Sequence, residues 1–383
     1  MTDLAALAAA TAHLDPPFAA ADLATLRANA ADLVRRAGET PVRVASKSVR
    51  CRHVVELALH TPGFAGVMAY SLREGIWLAR SGVRDILLGY PTVDRDALQE
   101  LAGDASLLEA ITLMVDSADQ LDVVRSISAQ APVRVCVDVD ASLRVGPLHL
   151  GARRSPVRTP DDAVAVAEAA QARGFRVAGV MFYEAQIAGL PDANAAVRAM
   201  KRRSANELAQ RRSAVVRAVR AAVGELEFVN SGGTGSLEIS AADPCVTEVT
   251  AGSGLYCPTL FDNYRAFRAH PALYFALPVV RRPTSRIATV FGGGYIASGP
   301  AGKSRLPRPA ARGLALLGAE GAGEVQTPVR GRAAAQLRIG ERVWFRPAKA
   351  GEVLEHFPTV HLVEDGRIAE SVPTYRGEGK AFG

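Results

Sequence analysis

Residues 41–61, PVRVASKSVRCRHVVELALHT, decide how the fold is read. A β-branched run at 41–46 passes through a short turn carrying Lys47 into a helical stretch at 50–61. A strand apolar nearly throughout is covered on both faces, so it needs similar strands beside it and helices over it. The chain supplies both. Further runs lie at 64–69, 84–89, 111–115, 132–138, 175–182, 226–230 and 246–251, eight in all. Helical stretches at 71–81, 94–103, 117–130, 159–173 and 193–223 fall between them, several opening on a cap residue: Ser71, Asp94, Ser117 or Thr159.

Eight β-α units over this length predict an α/β fold, a (β/α)8 TIM-type barrel at residues 25–268. The competing open doubly wound sheet lacks support, because no glycine-rich fingerprint follows the first strand. Past residue 270 the pattern changes. β-Rich runs (284–291, 343–346, 359–363) alternate with Gly- and Pro-rich turns, and residues 269–383 read as a β-domain. Residues 1–24 are left to pack on it.

The composition narrows the function classes. Of 383 residues 49% are apolar and 22% charged, which excludes a disordered chain. No apolar run is long enough for a membrane span. The start, MTDLAALAAA, has Asp3 and no early Lys or Arg, unlike a secretory signal. Cys51, Cys136, Cys245 and Cys257 show no paired metal spacing and read as a reduced, cytoplasmic set. The net charge is +6, yet the chain has forty arginines and five lysines. The arginines are scattered, with short clusters only at 201–203 and 211–212, so nucleic-acid binding is not expected.

Barrel chemistry sits at the C-terminal strand ends. In order these are Ala45-Ser46-Lys47, Ala69-Tyr70-Ser71, Gly89-Tyr90-Pro91, Val115-Asp116-Ser117, Asp138-Val139-Asp140 with Arg144 beyond, Tyr183-Glu184-Ala185-Gln186, Ser231-Gly232-Gly233-Thr234-Gly235 and Gly252-Ser253-Gly254-Leu255-Tyr256. The seventh end offers backbone N–H groups and a hydroxyl ahead of a short helix, a pattern that binds phosphate. The eighth adds a second glycine-rich loop. Lys47 is the one lysine at a strand end. A desolvated lysine near other cations (Arg43, Arg50, Arg52 and Arg144 are the candidates) is a carbonyl-reactive nucleophile. Lysine and phosphate site together suggest pyridoxal 5′-phosphate.

On Arg43–Lys47, Asp138-Val139-Asp140 with Arg144, Ser231–Thr234 and Glu248–Tyr256, the chain resembles the fold-type III pyridoxal 5′-phosphate enzymes, an alanine-racemase-like barrel followed by a β-domain. It is most similar to the D-threonine aldolase and D-serine dehydratase group, including the amino acid deaminase/aldolases. The resemblance implies a lyase working by aldol cleavage or dehydration of a β-hydroxy D-amino acid, an internal aldimine on Lys47, and a homodimer. It implies a cofactor site from Tyr183, Ser231, Gly232, Gly233, Thr234, Gly254 and Tyr256. Arg144 would face the pyridine nitrogen, unless it pairs with Asp138 or Asp140. In that group the β-domain supplies a divalent metal through a His-x-Cys or His-x-Asp pair. Here Lys349 and Gly351 stand at those positions. No metal is therefore expected, and Lys349 becomes a catalytic candidate; His356 and His361 read as ordinary β-domain histidines. The rival enzyme is a racemase with Tyr295 or Tyr375 as second acid/base, and the non-enzyme rival is a cofactor carrier.

Overall fold

The structure is a computed structural model and describes residues 2–128, 131–268 and 270–382. The last two residues of the stretch expected to be helical at 117–130, and residues 269 and 383 of the expected β-domain, lie outside them. The chain divides into two compact units.

One unit comprises Asp32–Ser46, Ala58–Gly252 and Phe382–Gly383. All eight apolar runs form strands in it: Val42–Ala45, Phe64–Ala69, Ile86–Leu88, Ile111–Val115, Arg134–Val139, Arg176–Phe182, Phe228–Ser231 and Glu248–Ala251. They pair in parallel, and the ring closes where Val249, Thr250 and Ala251 meet Val42, Arg43 and Val44. The closure excludes the open sheet. The strands carry few polar residues because both faces are covered. Leu87, Met114, Cys136, Ala178, Met181 and Phe228, from five strands, pack into one cluster inside the barrel. Arg43 is the largest of the buried polar residues the strands do carry. Its guanidinium, 2% exposed, lies 2.7 Å from Glu248 and 2.9 Å from Asp85. Burial disfavours that charge, but the two carboxylates outweigh it and hold the pKa above its ordinary value.

The helices begin where the caps predict. Ser71 Oγ accepts from the Glu74 N–H, Asp94 from Ala97 and Ser117 from Gln120. Thr159 and Asp162 form a reciprocal capping box at the helix Pro160–Ala172. The long helix Ala195–Val223 opens on Asn194. The basic clusters are largely consumed internally: Lys201 pairs with Asp192, Arg211 with Glu207 and Arg212 with Asp243.

The other unit comprises Met1–Ala31, Lys47–Leu57 and Ser253–Ala381. Its core is a nine-stranded sheet. The N-terminal strand Phe18–Asp22 lies inside it, antiparallel to Leu273–Thr284 and parallel to Thr359–Glu364. The run read as one strand at 284–291 is interrupted: Leu273–Thr284 turns at Ser285-Arg286 into Ile287–Phe291. The runs at 343–346 and 359–363 are the strands Arg342–Arg346 and Thr359–Glu364.

Candidate functional site

The loop after the seventh barrel strand is the most organised strand end. Gly232 sits at φ +93°, where a side chain would strain the backbone, and a Cβ on Gly233 would lie 2.9 Å from the Ala188 Cβ. The Gly233 N–H donates to Ser236 Oγ at 3.1 Å. Arg36 ties the loop from outside, donating to the Thr234 carbonyl at 2.6 Å and pairing with Glu238. Ser231, expected to face the cofactor, is fully buried. Its hydroxyl accepts from Arg212 and lies 2.9 Å from both the Phe182 carbonyl and Glu184. It therefore supports the loop from within. The helix that follows, Leu237–Ala241, is barely more than one turn, so a helix dipole adds little here.

Beside this loop, Tyr183 packs against the barrel interior with its ring 5.9 Å from the Arg154 guanidinium, and Tyr90 lies 5.6 Å from the same cation. Arg154 was not singled out by the sequence, because it lies beyond an inserted hairpin, Leu143–Val145 with Leu148–Leu150. The aromatic rings and the nearby Asp138 mark it as a mouth residue. Burial and the Asp116 charge push the Asp138 carboxyl up to about 7, against the pull of Arg154. Asp116 is raised too, by burial, although Gln120 donates to it at 2.7 Å. Arg144 sits on the hairpin and pairs with Asp140 at 2.7 Å, the alternative left open by the sequence. Asp140 also receives Arg158 and the Ser142 hydroxyl; these bonds offset burial and hold it below its ordinary value.

In the other unit, Lys47 occupies a single 3₁₀ turn, Ser46–Ser48, directly after the first barrel strand. Two contacts fix that turn. Arg50 donates to the Lys47 carbonyl at 3.3 Å, and Gly351 packs so closely that a Cβ there would lie 2.1 Å from the same oxygen. The stretch carrying Lys349 is thereby held against the lysine turn. Lys349 Nζ donates to Ser298 Oγ at 3.1 Å, while the Ser298 N–H donates to Glu352. Tyr256 is fully buried and its hydroxyl donates to the Val49 carbonyl at 3.3 Å; burial drives its pKa up. Gly254 is buried in the same short helix, and its carbonyl receives the Cys257 thiol.

The cations expected to crowd Lys47 are each paired: Arg43 with Glu248 and Asp85, Arg50 with Glu355, Arg52 with Glu56 and Glu378, and Arg144 with Asp140. The racemase candidates are packing residues here. Tyr295 stacks on His356 at 4.3 Å and meets Phe275 and Phe357 edge-on. Tyr375 is 1% exposed and held by its N–H to the Arg50 carbonyl. His361 lies 2.8 Å from Ser371 across a strand pair. Among the described residues, no three His, Cys, Asp or Glu side chains gather to hold a metal ion.

Comparison with known proteins agrees with this architecture. The family described as alanine racemase, N-terminal domain, matches residues 21–259. A curated D-threonine aldolase from an Arthrobacter species is 26% identical over 284 residues, 71% of this chain and 70% of that protein. The crystal structure of D-threonine aldolase from Filomicrobium marinum superposes with a TM-score of 0.79 at 22% identity, covering 95% of each chain. D-threo-3-hydroxyaspartate dehydratase from Delftia sp. HT23 gives 0.76 at 20% identity, covering 94% of this chain and 97% of that one. Alanine racemase from Bacillus anthracis is less alike, at 0.66 and 12%.

Proposed function

Because the chain belongs to the alanine racemase N-terminal domain family, we propose that it is a pyridoxal 5′-phosphate-dependent lyase acting on a β-hydroxy D-amino acid. The observation that carries the reading is Lys47, fixed on the turn directly after the first barrel strand. The curated relative, a D-threonine aldolase, supports lyase over racemase chemistry, and so does the packing of Tyr295 and Tyr375.

The residues present fit this cofactor. Lys47 supplies the primary amine that a carbonyl group needs for attachment. The loop at 232–234 runs close against Ala188 and Tyr183 where Gly233 lacks a Cβ, and Thr234 adds a hydroxyl. Tyr183 adds an aromatic face beside that loop, and in the unit that carries Lys47 the loop with Gly254 and Tyr256 is the second candidate. Bound, the cofactor supplies an electron sink for negative charge left at the substrate α-carbon. For dehydration, Lys47 Nζ takes the α-proton; for aldol cleavage, a base takes the β-hydroxyl proton. Arg154, held by two tyrosine rings, serves as the anion-binding cation at the mouth of its unit.

The β-oxygen needs positive charge as its bond breaks. Pro347–Gly351 offers no imidazole, thiolate or carboxylate, so it does not fit a divalent ion. We assign that charge to Lys349, whose ammonium is oriented by Ser298 and donates to the leaving oxygen. The protein acts as a homodimer in the cytoplasm. All four cysteines are free thiols, and no described helix is long and apolar enough to cross a membrane. The internal pairing of the basic clusters argues against a nucleic-acid partner.

A panel of D- and L-β-hydroxy amino acids, assayed separately for aldehyde and 2-oxo acid products, tests the reading. Turnover of D isomers, retained after chelation, is expected. Borohydride reduction of the loaded protein should label Lys47. Lys349→Ala should keep the cofactor and lose roughly 100-fold in turnover. Label on another lysine, activity that chelation abolishes and metal restores, or a fully active Lys349→Ala variant would overturn the corresponding assignment.

A further inference from the structure

Glu184 is one of the most deeply buried acids in the protein, at 1% exposure, and the chemistry above does not use it. It is the N-cap of the short helix Ala185–Ala188, yet its side chain makes no capping bond there. The carboxylate turns instead to the loop after the seventh strand. Its Oε2 accepts from the Ser231 hydroxyl at 2.9 Å and the Gly232 N–H at 3.3 Å; its Oε1 accepts from Ser236 at 2.6 Å and Ser240 at 2.5 Å. Arg212, donating to Ser231 and paired with Asp243, closes the network from behind.

A buried negative charge beside a loop that binds a phosphate opposes that phosphate by Coulomb repulsion. Its presence therefore calls for a compensating role, and the hydrogen bonds supply one. The carboxyl group accepts from the Gly232 N–H and the Ser236 and Ser240 hydroxyls, and shares the Ser231 hydroxyl proton with the Phe182 carbonyl. It draws the Ser236 and Ser240 hydroxyl protons inward. Ser236 Oγ can then accept the Gly233 N–H, which fixes the loop backbone. It also holds Gly232 in its left-handed conformation through that residue's own N–H.

We propose that Glu184 is the positioning residue of the anion-binding loop: its carboxylate sets the shape that Gly232–Ser236 presents to the cofactor phosphate without touching the phosphate. The proposal rests on the pyridoxal 5′-phosphate reading. Glu184→Gln keeps the size but turns an NH2 donor toward hydroxyl or N–H donors, so one side of the network fails. Ser240→Ala removes one donor and leaves the loop sequence intact.

The test compares pyridoxal 5′-phosphate with pyridoxal, which lacks the phosphate, by absorbance titration of the full-length protein, alongside thermal melting. Glu184→Gln should weaken phosphate-bearing cofactor roughly 10- to 100-fold while pyridoxal affinity stays within about threefold. Ser240→Ala should shift the same ratio in the same direction by a smaller factor. Should Glu184→Gln not fold, Ser240→Ala alone decides. Equal weakening of both ligands, or an unchanged ratio in Ser240→Ala, overturns the proposal, because a merely structural role lowers both affinities together. A wild-type protein that binds the two ligands equally overturns the cofactor reading itself, and this proposal with it.

Discussion

Asp138 shows how a residue's chemistry is written by its neighbours. In sequence it is one of two aspartates ending the fifth strand. In the structure burial, and then the Asp116 charge, raise its pKa from the ordinary 3.8 to about 7. The folded protein thus keeps this proton up to about pH 7, while the unfolded chain releases it near the ordinary carboxylate value. Between those values the folded state binds more protons, so stability falls as pH rises, by at most about 1.4 kcal/mol per pH unit. In the cofactor-free protein, melting temperature should drop from pH 5 to 7 more steeply for wild type than for Asp138→Asn. Equal slopes would refute the assignment. The same scale separates Ser231 from Gly233. Both lie in one motif, but one is locked inside by Arg212 and Glu184, and the other packs so closely on Ala188 and Tyr183 that a Cβ would not fit. Arg154 was illegible in the sequence because its markers, Tyr90 and Tyr183, are far from it along the chain.

Among elements, the N-terminal strand Phe18–Asp22 departs most from expectation. Its sequence, FAAAD, has little β-propensity, since three alanines offer no branched surface. Yet Ala20 faces Tyr274 on one side and His361 on the other, and Ala19, Ala20 and Ala21 are almost fully buried. Small residues fit here because the strand is flanked on both sides, where neighbours supply the packing. Ala20→Glu should therefore bury an unpaired charge and lower stability by several kcal/mol. Thermal melting checks this; a variant melting within a degree of wild type would show that the strand is dispensable. The barrel strands, by contrast, were legible one by one. Each is an apolar run bounded by turn residues, and the helix caps at Ser71, Asp94 and Thr159 lie where the pattern put them.

For the whole molecule, association is the property that one chain leaves open. On the sheet unit, Phe291, Ile296 and Val325 are large, apolar and exposed, and Phe291 and Val325 lie at one end of the strand pair Ile287–Phe291 and Gln326–Arg330, where the Gly292 N–H donates to the Val325 carbonyl. Such side chains are costly to leave in water, and a second copy would cover them. Light scattering coupled to size exclusion should give a dimer mass, and Phe291→Arg with Val325→Glu should shift it toward monomer; a wild-type monomer at micromolar concentration would rule the homodimer out. The sequence by itself determined the barrel, because eight apolar runs with helices between them have few other ways to bury both faces. It also placed Lys47 and the Ser231–Gly235 loop at strand ends, because each sits at the end of a run whose direction the pattern fixes. Only the tertiary structure decided that Arg43, Arg50, Arg52 and Arg144 are neutralised, that Glu184 gathers the loop, and that residues 18–22 belong inside a sheet with strands from the chain's other end. Those facts depend on pairs far apart in sequence, and local pattern carries no record of which distant residue will arrive beside which.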